Sequence, residues 1–361
     1  MPSPRPSTSN LRETLRALPK IDLHRHLEGS LRLGTLAEIA REHGIDLPGY
    51  AIEDLRPFAT VGDEQPDFQR FLEKFKFLRR FYTSQEAVAR LAHEAVADAA
   101  DDGVRYLELR FNPVALARAQ DFSLEAVTLW VCDAVQEAQA EQEIQVKLIV
   151  QIGREEDVET AARLAEVAQQ HRDRGIVGLD LAGDEQRYPA SPFAGIFRAA
   201  RREGLHVTVH AGEAGEPKNV EEAVTQLQAE RIGHGVRSIE DRLVVQLLKD
   251  RQVVLEVCPT SNIQTGVVEH FWRHPLPHLL ALGIPVSINT DDPSISDTTL
   301  TDEYWVAVQA MGVSLDQIKR TIVTAAQASF QTPDDAERLA DWFRSELGQE
   351  DTPRHRTDRR P

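Results

Sequence analysis

The stretch IDLHRHLEGS, residues 21–30, reads as a buried strand running into a turn. Ile21 and Leu23 alternate with polar residues, and side chains in a strand share a direction every second position. Asp22, His24 and His26 therefore lie on one face. A lone histidine at a strand end is usually a hydrogen-bonded polar residue. Two side by side suggest a shared partner, and neutral imidazole is the commonest metal ligand.

Outward from this strand the same pattern recurs. Short apolar β-type runs are expected at 20–26, 104–110, 146–152, 176–182, 206–210, 231–234, 253–257 and 285–290. Helical segments such as EAVARLAHEAVADAADDG and VETAARLAEVAQQHRDRG lie between them and end in glycine, as helix C-termini often do. Strands alternating with helices imply a parallel sheet. Eight such units predict an α/β fold of the (β/α)8 TIM-barrel type, with an open doubly wound sheet as the alternative. The insertion after the first strand, roughly residues 30–100, is long. Within it FQRFLEKFKFLRRFY places Phe68, Phe71, Leu72 and Phe75 at i, i+3, i+4, i+7 spacing, which fits either plain packing or an apolar lid over a pocket mouth. The sequence predicts a loose Pro/Ser-rich N-terminal segment (1–18), one barrel domain (19–345) and a charged, disordered tail (346–361) with little to bury.

Composition narrows the function. With 58 acidic and 41 basic residues the net charge is −17, which argues against a nucleic-acid partner while leaving a small purine open. No signal-peptide h-region or run of about 18 apolar residues occurs, so no membrane association is expected and the cytoplasm is the expected compartment. Cys132 and Cys258 are too few for a disulfide framework and read as small buried hydrophobes. Oligomeric state is left open.

Polar residues crowd at the C-terminal ends of the expected strands: His24 and His26 on the first, LAGDE on the fourth, HAGE with His210 and Glu213 on the fifth. GHG with His234 ends the sixth and NTDDP with Asp291 and Asp292 the eighth. A barrel gathers these ends on one rim, where its active sites sit. His24, His26, His210 and Asp291 form a reasonable set for one zinc with room for water. Such an ion lowers the pKa of bound water towards about 7. Glu213 can protonate the group under attack or can simply favour a helix start. His234, between Gly233 and Gly235, can steer the water, and Gly183 can offer its backbone N–H. His270, His274 and His278 are separated by Pro275 and Pro277, and we read them as structural. His43, His93, His171 and His355 read as surface, and His206 as belonging to the opposite barrel face.

In this order HxHLEGS, LAGDE, HAGE, ERIGHG, EVCPTSN and NTDDP resemble the adenosine deaminase family of metal-dependent hydrolase barrels, from about Pro19 to Ile322. The resemblance implies a one-zinc (β/α)8 barrel that hydrolyses adenosine, and by extension 2′-deoxyadenosine, to inosine-type products and ammonia. It implies metal binding by His24, His26, His210 and Asp291, protonation of purine N1 by Glu213 during attack at C6, and orientation of the water with proton transfer by His234. Asp292 would accept a hydrogen bond from the ring, the Gly183 backbone would contact N3, Glu28 would meet the ribose, and Phe68, Phe71 and Phe75 would belong to an apolar lid. Many nucleoside deaminases of the family carry Asp where this chain has Glu28, so the 5′ substituent stays open and 5′-modified adenosines such as aminodeoxyfutalosine or 5′-deoxyadenosine are alternatives; adenine is the nearest competing substrate. A non-catalytic purine binder is the remote alternative. Strand four lacks the lysine that bridges two metals in related enzymes, so one metal is expected.

Overall fold

A computed structural model of the chain describes residues 8–62 and 64–349. Eight parallel strands pair in sequence order. They are β1 (Lys20–His26), β2 (Val104–Phe111), β3 (Gln145–Gly153), β4 (Ile176–Ala182), β5 (His206–Ala211), β6 (Arg231–His234), β7 (Val254–Val257) and β8 (Val286–Ile288). Helices cover the outside, giving the expected (β/α)8 barrel.

Strand β8 is shorter than the sequence pattern suggests because side chains take over its seam with β1. Leu23 N donates to Asn289 Oδ1 at 3.0 Å, and the Thr290 hydroxyl donates to Asp22 Oδ2 at 2.6 Å. Beyond them the backbones meet again, with Asp291 N donating to the His24 carbonyl and His26 N to the Asp291 carbonyl, each at 2.8 Å. Asp291 is thus bonded on both sides to the strand that carries the histidine pair.

The lower barrel is filled by ions as well as apolar side chains. Arg110 donates to Asp180 and to Glu256, both at 2.9 Å; Arg231 pairs with Glu256 and Glu108. All five side chains are buried. The opposite charge beside each ion is what makes such burial tolerable, since an uncompensated interior charge costs several kcal/mol.

Between β1 and β2 the chain forms α2 (Leu33–His43), α3 (Ile52–Ala59), α4 (Phe68–Leu78) and α5 (Gln85–Asp101), preceded by α1 (Thr8–Ala17). The helix α1 corrects part of the expectation for residues 1–18. Leu11 and Leu15 are buried, and Arg12 pairs with Asp302; the Pro/Ser-rich composition that suggested a loose end stops where this apolar spacing begins. At the other end Leu347 is buried and its carbonyl accepts from Lys319 Nζ at 2.7 Å, so the packed chain runs slightly beyond residue 345. The rest of the expected tail, with His355, lies outside the described residues.

In α4, Asp67 caps the first turn by accepting from Arg70 N at 2.8 Å. Its buried face is Phe71, Lys74 and Leu78, with Lys74 Nζ held by the Pro57 carbonyl at 2.8 Å and by Glu64. Phe68 and Phe75 are only half-buried.

Candidate active site

The C-terminal rim of the barrel encloses a cavity of about 360 Å³. Its lining includes His26, Glu28, Gly183, His210, Glu213, His234, Asp291, Asp292, Phe68, Phe71 and Phe75. His24 lies fully buried at its floor, its ring centroid 4.5 Å from that of His210. The structure therefore brings together every residue singled out in the sequence for this site.

His24, His26, His210 and Asp291 each point one donor atom at a common centre, all within 4.8 Å of one another. The His26 Nε2 atom lies 3.3 Å from His24 Nε2 and 3.2 Å from His210 Nε2. Asp291 Oδ1 lies 3.2 Å from His24 Nε2 and 3.1 Å from His26 Nε2. Donors about 2.05 Å from a tetrahedral zinc sit about 3.3 Å apart, so these separations fit such an ion without rearrangement. The far nitrogen of each ring is already held. His24 Nδ1 meets Glu256 Oε2 at 2.7 Å, His26 Nδ1 meets Gln151 Oε1 at 2.7 Å, and His210 Nδ1 meets Asp180 Oδ1 at 3.1 Å. Acceptors there keep the Nδ1 protons in place and leave the Nε2 lone pairs free for a cation. Arg110 ties two of these carboxylates together, and it helps hold Asp180 and Glu256 ionised despite their burial.

A second overlapping set, His24, His234, Cys258 and Asp291, is also close. It is the poorer ligand set, because burial pushes the Cys258 thiol well above its usual value and a ligand must be the thiolate.

The remaining groups surround this centre. Glu213 Oε2 is 3.7 Å from His234 Nε2. Burial first, then the carboxylates of Asp291 and Glu185, raise the Glu213 carboxyl well above its ordinary range, which favours its protonated form. Burial, then the carboxylates of Asp291, Glu28 and Glu213, likewise raise Asp292. Burial lowers His234 well below its ordinary value, so the ring is neutral. His234 (φ 58°) and Asp291 (φ 63°) both occupy the left-handed backbone region. Such a conformation costs a non-glycine residue about 1–3 kcal/mol and gathers at working sites. Gly183 has φ 114°, and a Cβ there would stand 2.6 Å from the Glu155 carboxylate.

Several contributors to this geometry went unnoticed in the sequence. Asp180, Glu256 and Gln151 hold the histidines. Glu185 accepts from the backbone N–H groups of Gly212, Glu213 and Gly215 at 2.7–3.0 Å and so shapes the loop that carries Glu213. Asn262 and His274 stand behind His234. The available signal was a charged residue inside an otherwise apolar strand, as in IVGLDLA and VVLEV, at the same period-two face as the rim histidines. Of the other histidines, His206 sits at the opposite barrel end, where its ring stacks on Phe330 at 4.7 Å. No helix among the described residues is long and apolar enough to cross a membrane.

Known proteins agree with this architecture. Residues 19–345 match the family described as Adenosine deaminase. The chain is 40% identical over 322 residues to the adenosine deaminase of Shigella flexneri serotype 5b, covering 89% of this chain and 96% of that one. The adenine deaminase of Arthrobacter aurescens superposes with a TM-score of 0.83 at 30% identity, over 92% of this chain and 99% of its own. The Arabidopsis protein ADAL in complex with GMP gives a TM-score of 0.81 at 28% identity, over 92% and 98%. An amidohydrolase from Burkholderia ambifaria with bound zinc gives 0.87 at 25% identity, over 96% and 95%. A barrel of the right topology, a converging donor set and these matches lead to one assignment: the chain belongs to the adenosine deaminase family and is a hydrolytic deaminase.

Proposed function

We propose that the protein converts adenosine and 2′-deoxyadenosine to the corresponding inosines and ammonia, using one zinc ion held by His24, His26, His210 and Asp291. The observation that carries this reading is the meeting, in one buried cavity, of that donor set with the carboxyl of Glu213, whose protonated form burial favours. Zinc in such a site lowers the pKa of a bound water from about 15.7 towards 7. Glu213 gives its proton to purine N1, which draws electron density from C6 as water adds there; one proton of that water passes to N6, so that the C6–N6 bond breaks with ammonia as the leaving group, and the other returns to Glu213 as the C6 carbonyl forms. His234 orients the attacking water. Asp292 Oδ1, buried without a partner, binds the ring edge, and Gly183 at the cavity wall offers its backbone to N3.

Two features favour a nucleoside. Glu28 Oε1 accepts from Asn112 N at 2.7 Å, whereas its Oε2 is buried with no partner. A ribose hydroxyl supplies the missing donor and the free base does not. The mouth also carries five carboxylates (Glu28, Glu73, Glu155, Glu156, Asp184) against four cations (Lys76, Arg79, Arg118, Arg187), a poor balance for a dianionic 5′-phosphate. Helix α4 closes one side of the mouth, with Gln69 Nε2 donating to Asp184 Oδ2 across it at 2.9 Å, which supports a lid formed by Phe68, Phe71 and Phe75.

Adenine is the competing substrate, given the likeness to the Arthrobacter enzyme. Ammonia release from adenosine, 2′-deoxyadenosine, adenine, 5′-deoxyadenosine, aminodeoxyfutalosine and AMP, at equal concentration, tests the reading. Faster turnover of adenine or of a 5′-modified substrate overturns it. Purified protein that binds adenosine without metal or turnover would make it a binding relative.

A further inference from the structure

His234 is held from behind by two side chains that contribute no atom to the cavity lining. Its Nδ1 lies 3.1 Å from Asn262 Nδ2. The same amide presents Oδ1 to His274 Nε2 at 3.2 Å. At the far end, His274 Nδ1 accepts from the backbone N–H of Leu276 at 3.1 Å, the first residue of the helix Leu276–Ala281. Asn262 is fully buried, and His234 and His274 are 1% and 5% exposed, so water does not compete for these bonds.

We propose that this chain fixes the tautomer of His234, making Asn262 and His274 positioning residues that turn His234 Nε2 into a hydrogen-bond donor facing the reaction centre. The direction follows from its one unambiguous end. A backbone N–H can only donate, so His274 Nδ1 carries a lone pair. Burial lowers His274 to about 3, so the ring is neutral and its single proton sits on Nε2. That N–H needs an acceptor, which settles the Asn262 amide with Oδ1 towards His274 and Nδ2 towards His234. The amide N–H then donates to His234 Nδ1, and the only ring proton left to His234 is on Nε2. Reversing any single member leaves two lone pairs or two hydrogens face to face in a dry interior, which costs about 1–3 kcal/mol for each unmet group.

The consequence concerns the attacking water. With Nε2 already protonated, His234 cannot take a proton from that water at this atom. It holds an oxygen lone pair and stabilises negative charge as it develops, which is the role of a preorganised donor. The left-handed backbone at His234 is consistent with a ring held at a set angle.

The test uses zinc-loaded enzyme with ¹⁵N-labelled histidine, because the two imidazole nitrogens differ in shift between the tautomers. We expect His234 as the Nε2–H form and His274 as a neutral Nε2–H ring across the range of enzyme activity. Asn262→Asp replaces the donating amide with a second acceptor. It should move the His234 proton to Nδ1 and lower kcat by about 10²–10³-fold, with zinc content and KM little changed. Asn262→Gln, which keeps the amide, and His274→Gln, which keeps a donor to Asn262, should each retain more activity than Asn262→Asp. A wild-type His234 carrying its proton on Nδ1, or an Asn262→Asp enzyme with flipped tautomer and undiminished kcat, overturns the proposal. The inference rests on the deaminase reading for its kinetic arm only. An enzyme inactive on every purine but with His234 as the Nε2–H form would sink that reading and leave the tautomer assignment standing.

Discussion

Replacing Glu213 by glutamine isolates the acid from the metal. Glutamine matches the size of glutamate, and Glu213 contributes no atom to the converging donor set. Its backbone N–H stays bonded to Glu185 at 2.8 Å, so the loop geometry is retained. The carboxyl is already pushed towards its protonated form by burial and two neighbouring carboxylates, so the neutral amide is a close mimic and should hardly alter stability. What it removes is a transferable proton. A positioned general acid contributes about 10²–10⁴-fold, equivalent to about 3–5 kcal/mol of barrier. Because N1 protonation develops in the transition state, the loss should fall on kcat while KM stays near its wild-type value. Glu213→Asp retracts the carboxyl by about 1.5 Å and should give an intermediate rate. Turnover is followed as ammonia release, with zinc content and melting temperature measured on the same preparations. A Glu213→Gln enzyme at near wild-type kcat, or one whose lost activity tracks lost zinc, would refute the reasoning.

Further outcomes follow from other contacts. Gln151→Ala removes the acceptor from His26 Nδ1 and should weaken zinc binding by about 10–100-fold with little change in melting temperature; competition against a chromophoric chelator measures it, and unchanged affinity would dismiss the role of Gln151. Phe75→Ala, on the half-buried side of α4, should raise KM for adenosine more than it lowers kcat, and equal KM values would return this helix to plain packing. Glu303 is buried and raised to about 7 from an ordinary 4.5, despite accepting from Thr260 N at 3.0 Å and the Thr298 hydroxyl at 2.8 Å. Its folded pKa lies above its unfolded one, so the native state binds the extra proton and stability falls as pH rises from about 4.5 through 7, by about 3 kcal/mol in all. Glu303→Gln should flatten that part of the melting temperature–pH curve relative to wild type, and parallel curves would remove Glu303 as the cause.

The strand pattern was legible because each barrel strand is a short apolar run bounded by helix, and burial on both faces leaves little ambiguity. The rim residues were legible for a related reason: polar groups at strand ends are conspicuous against such runs, and a closed barrel sends all those ends to one side. The N-terminal helix was misjudged because Leu11 and Leu15 gain their value only from the surface they meet. The amphipathic stripe of α4 could be read in the sequence, but not that Phe71 is buried where it meets the cavity while Phe68 and Phe75 stay half-exposed beside it.

By itself, then, the sequence determined the barrel, the face that carries the chemistry and the residue types gathered on it, since these depend on local periodicity and chain order. Only the tertiary structure decided which atoms meet: the Nε2 atoms about 3.3 Å apart, the carboxylates beneath them, and the path from Leu276 through His274 and Asn262 to His234. Hydrogen-bond direction and ligand spacing are properties of atoms brought together from distant strands, and no stretch of chain encodes them alone.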